Sequence, residues 1–240
     1  MGEGEKIKDA QISKQNISYY DEIASDYDNI LNEDGANATI RAIVSAKFKG
    51  LVKEGCVLDF GGGTGRDLGW LNQMQYEIIF CEPSAAMRQI AIDRGRNELH
   101  NSNISFFNDD IANFRNWNDT FPFDKKADAA LANFAVINCI PDIKYLFDKM
   151  GLAIKPGGVF LALVLDNSLV KRLRSNLTGT LKSFVSGQPM SFNVDYSGKR
   201  QQVYIHSTGA IRRAAEEHFE FIHSERLLKF GFCLIHLVRK

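Results

Sequence analysis

The sequence predicts an α/β fold: a doubly wound, mostly parallel sheet with helices on both faces. Three observations predict it. Apolar runs of strand length alternate with stretches of helical spacing between about residues 51 and 165, the pattern of consecutive βαβ units. The runs Cys56–Phe60, Tyr76–Cys81, Ile104–Phe107, Asp128–Phe134 and Val159–Leu165 lack in-out alternation, as strands do when helices cover both faces. A glycine cluster, Gly61-Gly62-Gly63-Thr64-Gly65, stands between the first run and the helix after it, where a helix N-terminus favours anionic groups.

The elements follow in order. Residues 1–13 are polar and predict a frayed end. From Asn16 to Leu31 the residues Ile17, Tyr20, Ile23, Ala24, Tyr27 and Leu31 recur at helical spacing. A second helix, about Ala36 to Lys49, puts Ile40, Ile43, Val44 and Phe48 on one face. Gly50 and Gly55 bracket the approach to the first strand, and a helix from Arg66 to Gln75 follows the glycines. Ser84 is the expected N-cap of a helix running to about Asn97. Another helix covers Asp142–Ala153, and Lys155-Pro156-Gly157-Gly158 makes a tight turn into the fifth strand. After Asp166 the character changes. Residues 190–206 read as a hairpin turning at Ser197-Gly198, followed by a helix (about Gly209 to His218) and closing strands Phe219–Glu225 and Phe232–Val238.

Composition bounds the function. With 240 residues and 45% hydrophobic content, one domain with a full core is expected, and a disordered chain is not. The 29 basic and 29 acidic residues cancel, which argues against a dedicated nucleic-acid binder. The longest apolar run, Val159–Leu165, is far short of the ~18 residues of a membrane helix. Met1–Gln15 has no apolar stretch of a secretory signal. Cys56, Cys81, Cys139 and Cys233 lie 25, 58 and 94 positions apart, without a CxxC pair or a zinc spacing. Cys56, Cys81 and Cys233 sit inside apolar runs and read as small buried hydrophobes; no metal is expected, and the expected compartment is the reducing cytoplasm.

The main chemical signal is Val57-Leu58-Asp59-Phe60-Gly61-Gly62-Gly63-Thr64-Gly65-Arg66. Glycines there take positive φ and let the backbone approach a ligand without a Cβ between. A nicotinamide or flavin fingerprint needs a glycine at position 66, which is Arg66. No Gly-Lys-Ser/Thr follows, so a P-loop is excluded as well. The pattern that fits is acid-x-Gly-x-Gly-x-Gly, with Asp59, Gly61, Gly63 and Gly65.

On these residues the chain resembles the class I S-adenosylmethionine (SAM) methyltransferases, over roughly residues 19–165. The resemblance implies a Rossmann-like sheet with an antiparallel last strand, SAM as methyl donor and S-adenosylhomocysteine as product. It implies that Asp59 anchors the loop and faces the methionine amino group, with Gly61, Gly62 and Gly63 passing beside the methionine part. Glu82 of Cys81-Glu82-Pro83-Ser84, 23 positions after Asp59, would hold the ribose diol, since a carboxylate accepts two strong hydrogen bonds. Pro83 adjoins it, and Met87 stands where relatives pack an apolar side chain on the cofactor. In Phe107-Asn108-Asp109-Asp110-Ile111, Asp110 and Ile111 match the adenine-binding positions, with Asp109 as the alternative acid. Asn133 and Phe134, at the end of the fourth strand, match the edge that contacts the methionine moiety and faces the acceptor. The Asn/Asp-Pro-Pro-aromatic motif and the Pro-Cys nucleophile of DNA-base enzymes are absent from the sequence; Asn138 precedes Cys139.

Tyr20-Asp21-x-x-Ala24-x-x-Tyr27-Asp28 resembles the N-terminal segment of many small-molecule methyltransferases, implying a lid over SAM that places Tyr20 and Tyr27 at the cofactor and acceptor. The expected division of the single domain is a helical lid (14–50), a SAM-binding core (51–165), a substrate-side insertion (166–208) and a closing helix and strands (209–240). The implied reaction is an in-line displacement to a small-molecule acceptor, in which positioning supplies most of the rate. Should the acceptor need a base, Tyr20, Tyr27 and His206 are the candidates. Between Asn167 and Arg213 eight basic residues (Lys171, Arg172, Arg174, Lys182, Lys199, Arg200, Arg212, Arg213) face one acid, Asp195. That local field predicts an anionic group on the acceptor. The alternatives are a SAM-binding module without catalysis and a nicotinamide-dependent reductase, the latter disfavoured by Arg66.

Overall fold

The computed structural model describes residues 3–32, 35–99, 103–117, 123–167, 189–196 and 198–240. The first helix, α1, spans Glu3–Asn32, so the polar segment expected to fray instead extends the helix by more than three turns. The second, α2 (Ala36–Leu51), buries Ile40, Val44 and Phe48, three of its four predicted face residues. The predicted core elements follow, joined by one turn of helix the sequence reading did not include, α5: β1 (Cys56–Phe60), α3 (Leu68–Gln73), β2 (Glu77–Cys81), α4 (Ala85–Glu98), β3 (Ile104–Phe106), α5 (Asp109–Ala112), β4 (Ala127–Ala132), α6 (Ile143–Ala153) and β5 (Ile154–Leu165). A hairpin of β6 (Met190–Tyr196) and β7 (Lys199–Ile205), then α7 (Thr208–Ala215), β8 (Phe219–Leu227) and β9 (Phe232–Arg239), complete the chain. Ser197, half of the expected hairpin turn, lies outside the described residues.

Seven strands form one sheet in the order β3-β2-β1-β4-β5-β9-β8, with the β6–β7 hairpin separate. The first five pair in parallel. The last strand, β9, is antiparallel to both β5 and β8, between which it lies. The predicted turn at Lys155–Gly158 sits inside β5 as an irregularity: Gly157 has φ +78°, and the pairing skips from Ala127↔Ile154 to Ala129↔Val159.

The missing alternation has a direct structural counterpart. Every residue of β1 is buried. Cys56, Leu58 and Phe60 point into one apolar layer with α6 and α7, while Val57 points into the other with α2 and α3. A third, smaller layer packs Tyr19, Ile23 and Ala24 of α1 against Met87 of α4. The chain runs outward from β1 through β2 to β3, then returns to β4 on the other side of β1. In open α/β sheets the crevice at the carboxyl ends of strands flanking such a reversal is where ligands bind.

Candidate functional site

The glycine loop is folded onto the end of β2. The N–H groups of Gly61 and Gly62 both donate to the Cys81 carbonyl, at 2.7 and 3.3 Å. Gly61, Gly63 and Gly65 all have positive φ, the conformation the acid-led glycine run is suited to adopt. These glycines differ in what surrounds them. A Cβ on Gly61 would lie 2.5 Å from Val136 Cγ1, and one on Gly62 2.2 Å from Phe80 Cε2. At Gly63 the nearest atom would be Tyr27 Cε1, 3.9 Å away. Gly61 and Gly62 are glycine for packing, whereas Gly63 borders open space.

That space is a cleft with about 1070 Å3 of empty volume, part of it open to solvent. Its walls come from α1, the glycine loop, the ends of β2 and β4, and the segment after α5. Glu82 leads the β2 wall. Only 7% exposed, its carboxylate accepts the N–H of Gly63 at 3.0 Å and that of Ser84 at 2.8 Å. Burial pushes its carboxyl up to about 7, against the pull of those two N–H groups and Arg88. Ser84 caps α4 as expected, accepting the Met87 N–H at 3.2 Å. Asp59 is 1% exposed, and its Oδ2 has no hydrogen-bond partner. Burial, then the neighbouring Asp67, push its carboxyl well above the usual aspartate range.

Helix α1 is fastened at three points. Asn16 donates to the carbonyls of Gln202 (2.9 Å) and Cys139 (3.2 Å) and accepts the Gln202 N–H at 2.9 Å. Asp21 accepts from the Ser84 hydroxyl at 2.7 Å and the Ala86 N–H at 3.1 Å, beside the N-terminus of α4, where a carboxylate is favoured. Asp28 accepts from Thr64 Oγ1 and Arg94 Nη2, each at 2.6 Å. Between these anchors Tyr20 and Tyr27 pack edge to face, 6.0 Å apart, on the cleft wall.

The comparisons with known proteins agree with this architecture. A family model described as "Methyltransferase domain" matches residues 33–229. The chain belongs to that family. Among solved structures, one described as "DhpI-SAH complex structure" is 18% identical, with 95% of this chain and 97% of that one covered and a TM-score of 0.67. A S-adenosylmethionine-dependent methyltransferase from Clostridium acetobutylicum ATCC 824 is 16% identical, with coverages of 92% and 98% and a TM-score of 0.61. The glycopeptide N-methyltransferase MtfA, complexed with S-adenosylhomocysteine, is 12% identical, with coverages of 83% and 88% and a TM-score of 0.58. No curated protein matches the sequence. The resemblance to class I SAM methyltransferases therefore holds for family and fold.

Within this methyltransferase, Tyr20, Tyr27, Asp59, Gly61, Gly62, Gly63, Glu82, Pro83, Met87, Asn133 and Phe134 all line the cleft. Asp110 and Ile111 do not; the wall there is Ala112, Asn113 and Phe114. Asp109 forms an ion pair with Arg88, while the Asp110 side chain is exposed. His206 is also off the wall. It is 3% exposed, with Nε2 2.9 Å from the Ile140 carbonyl, and burial pushes its imidazole down to about 4. It is the one base candidate of the three that does not line the cleft.

Of the basic residues after Asn167, Lys199 pairs with Glu22, Arg200 pairs with Asp195, and Arg212 lies over the Phe221 ring. None of these, nor Arg213, lines the cleft. Lys171, Arg172, Arg174 and Lys182 lie outside the described residues. Sequence reasoning missed Arg41, Asp67 and Cys139, which do line it. No motif marks them, because three separate segments bring them in. No described helix is long and apolar enough to cross a membrane.

Proposed function

We propose that the cleft binds SAM and that the protein transfers its methyl group to a small-molecule acceptor, leaving S-adenosylhomocysteine. The observation that carries this reading is Glu82, a buried carboxylate at the end of β2 that reaches back to the glycine loop after β1. Two further features fit the donor. The Gly63 Cα borders open space where a side chain would intrude, and Asp59 Oδ2 is a buried acceptor without a partner.

Bound SAM supplies an activated methyl group on a sulfonium, which an aligned nucleophile displaces in line. The chain's part is to position and enclose. Glu82 accepts from the ribose hydroxyls, and the loop at Gly61–Gly63 lets backbone lie against the methionine part. Met87 and Phe134 give apolar contact. Tyr20 and Tyr27 close the lid side and exclude water. Burial pushes both phenols up and the Cys139 thiol up to about 11, so all three stay protonated at neutral pH. They act as donors and walls, not as bases. Alignment alone contributes effective molarities of ~10⁵ M or more, so this division of labour suffices for a nucleophilic acceptor.

Beyond the residues assigned to the donor, Asn16, Ile17, Asn113, Phe114 and Ile140 also line the cleft, a mix of apolar side chains and a few polar groups that suits a small-molecule acceptor. The test is a screen of metabolite pools with methyl-labelled SAM. Label recovered in a small molecule is the expected result. Label recovered only in protein or nucleic acid would contradict the acceptor class.

A further inference from the structure

The β6–β7 hairpin stands apart from the main sheet, and among the described residues none of its side chains lines the cleft. It is nonetheless tied to the cleft wall. β7 pairs with β6 along one edge only, and two buried asparagines meet its other edge. Asn16 of α1, 4% exposed, accepts the Gln202 N–H and donates to the Gln202 carbonyl, both at 2.9 Å. A side-chain amide carries the donor and acceptor of a peptide group, so Asn16 pairs with Gln202 as a neighbouring strand would. Asn138, fully buried in the turn Val136–Cys139, donates to the Tyr204 carbonyl at 2.6 Å and accepts the Leu165 N–H at 2.9 Å.

These bonds close a circuit. The end of β5 holds Asn138, Asn138 holds β7, and β7 holds Asn16. Asn16 then returns to the turn by donating to the Cys139 carbonyl at 3.2 Å. One turn of α1 further on, Tyr20 Oη lies 3.5 Å from Cys139 Sγ, so the seam between α1 and the turn is shut at two adjacent points. Asn16, Tyr20 and Cys139 all line the cleft. Tyr27, the side chain facing Gly63, comes eleven residues after Asn16 on the same helix, about 16 Å along its axis. The Asn16 end is thus remote from the loop assigned to the donor's methionine part.

We propose that the hairpin sets acceptor specificity from outside the cleft: β7, through Asn16 and Asn138, fixes the gap between α1 and the Val136–Cys139 turn, and that gap selects acceptors by size and shape. Asn16 and Asn138 are positioning residues in this scheme. It rests on the small-molecule reading above.

The experiment uses Gln202→Pro in the full chain. Proline removes the N–H that Asn16 accepts, on an edge where β6 needs none, and changes no residue of the cleft wall. A deproteinised metabolite extract with methyl-labelled SAM supplies the substrates, and calorimetry gives SAM affinity. The variant should need about two- to tenfold more extract for half-maximal labelling, the size of one net hydrogen bond, with SAM affinity within about twofold of wild type. A changed ratio of labelled products at that SAM affinity supports the inference equally. So does loss of labelling with SAM binding retained. Unchanged labelling overturns it even where the melting temperature falls, since a purely structural hairpin would give that result. Equal losses of SAM affinity and labelling overturn it too, by marking a general loosening. Should thermal melting show Gln202→Pro unfolded, Asn138→Ser, too short to reach both of its partners, takes its place with the same readings. If wild type labels no small molecule, the acceptor reading fails and this inference with it. If wild type labels one and the folded variant matches it, this inference alone fails.

Discussion

The Glu82 carboxylate accepts the backbone N–H of Gly63 at 3.0 Å, across nineteen residues of sequence. One side chain thus fixes the end of β2 against the loop after β1, and with it the spacing between the ribose and methionine parts of the proposed ligand. The same carboxylate accepts from Ser84 N–H, so its orientation is set before anything binds.

Glu82 gives a pH dependence of defined sign. Burial raises its carboxyl from the ordinary 4.5 to about 7 in the folded state. Between those values the folded chain holds a proton that the unfolded chain has released, so this residue's contribution to stability falls as pH rises through the window. The ionised form is the better acceptor for a diol. SAM affinity should therefore rise from about pH 6 to pH 8, by up to tenfold per unit below 7. Calorimetry across that range should show the slope in wild type and not in Glu82→Gln. A flat wild-type profile would contradict the assignment.

Gly62 and Gly63 separate packing from binding. Gly63→Val meets no neighbour closer than Tyr27 but must keep φ near +58°, a strain of about 1–2 kcal/mol. It should fold with a lowered melting temperature and lose SAM binding. Gly62→Val would put its Cβ 2.2 Å from Phe80 Cε2, and overpacking should cost it about 1–3 kcal/mol or more in stability. SAM-induced thermal stabilisation retained in a folded Gly63→Val would refute the loop's role.

Asp28 ties α1 to the loop after β1 and to α4. Burial opposes its ionisation, but hydrogen bonds from Thr64 and Arg94 and the charges of Arg94 and Arg66 outweigh it and hold the carboxyl below the usual aspartate value. Its stabilising contribution is present above that usual value and is lost as pH falls through the lowered one. Asp28→Asn should destabilise the fold by about 1–2 kcal/mol and speed SAM dissociation, measured by stopped-flow fluorescence. Unchanged melting and dissociation would show that α1 is held without this latch.

His206 is expected to matter for acid stability and not for catalysis. Burial lowers its imidazole from 6.5 to about 4, so the unfolded chain binds a proton that the folded chain does not, and stability falls as pH drops through that window. His206→Gln should flatten this part of the stability profile, followed by thermal melting, and leave the pH–rate profile of methyl transfer unchanged. Loss of a rate-controlling ionisation in the variant would restore it as a base.

The parts of this account that were readable in the sequence are those carried by neighbours in sequence. Asp59 to Gly65 is a strand, a turn and a helix start in one stretch. Glu82 and Ser84 are likewise a strand end followed by a cap. The sheet's burial on both faces was legible in β1 because Val57 and Leu58 are both apolar. Arg41, Asp67 and Cys139 were not legible, since the residues between them fix their meeting only through tertiary packing. The helical course of the polar N-terminal end was missed for a similar reason. Ile12 is buried and Asn16, just beyond the polar stretch, is held by Gln202 and Cys139, more than a hundred residues away, and such contacts supply what local propensity lacks. Asp110 and Ile111 matched by spacing, but the one-turn α5, capped by Asn108, carries Asn113 and Phe114 to the wall instead.

The central claim is that this cleft holds SAM through Glu82, and calorimetric titration of SAM into wild type and Glu82→Ala tests it most directly. Removing a charged hydrogen-bond acceptor typically costs about 1.5–3 kcal/mol, or roughly 10- to 150-fold in affinity. Saturable binding to wild type and a loss of that size in a folded variant are the expected results. Absence of binding to wild type, or equal affinity in Glu82→Ala, would contradict it.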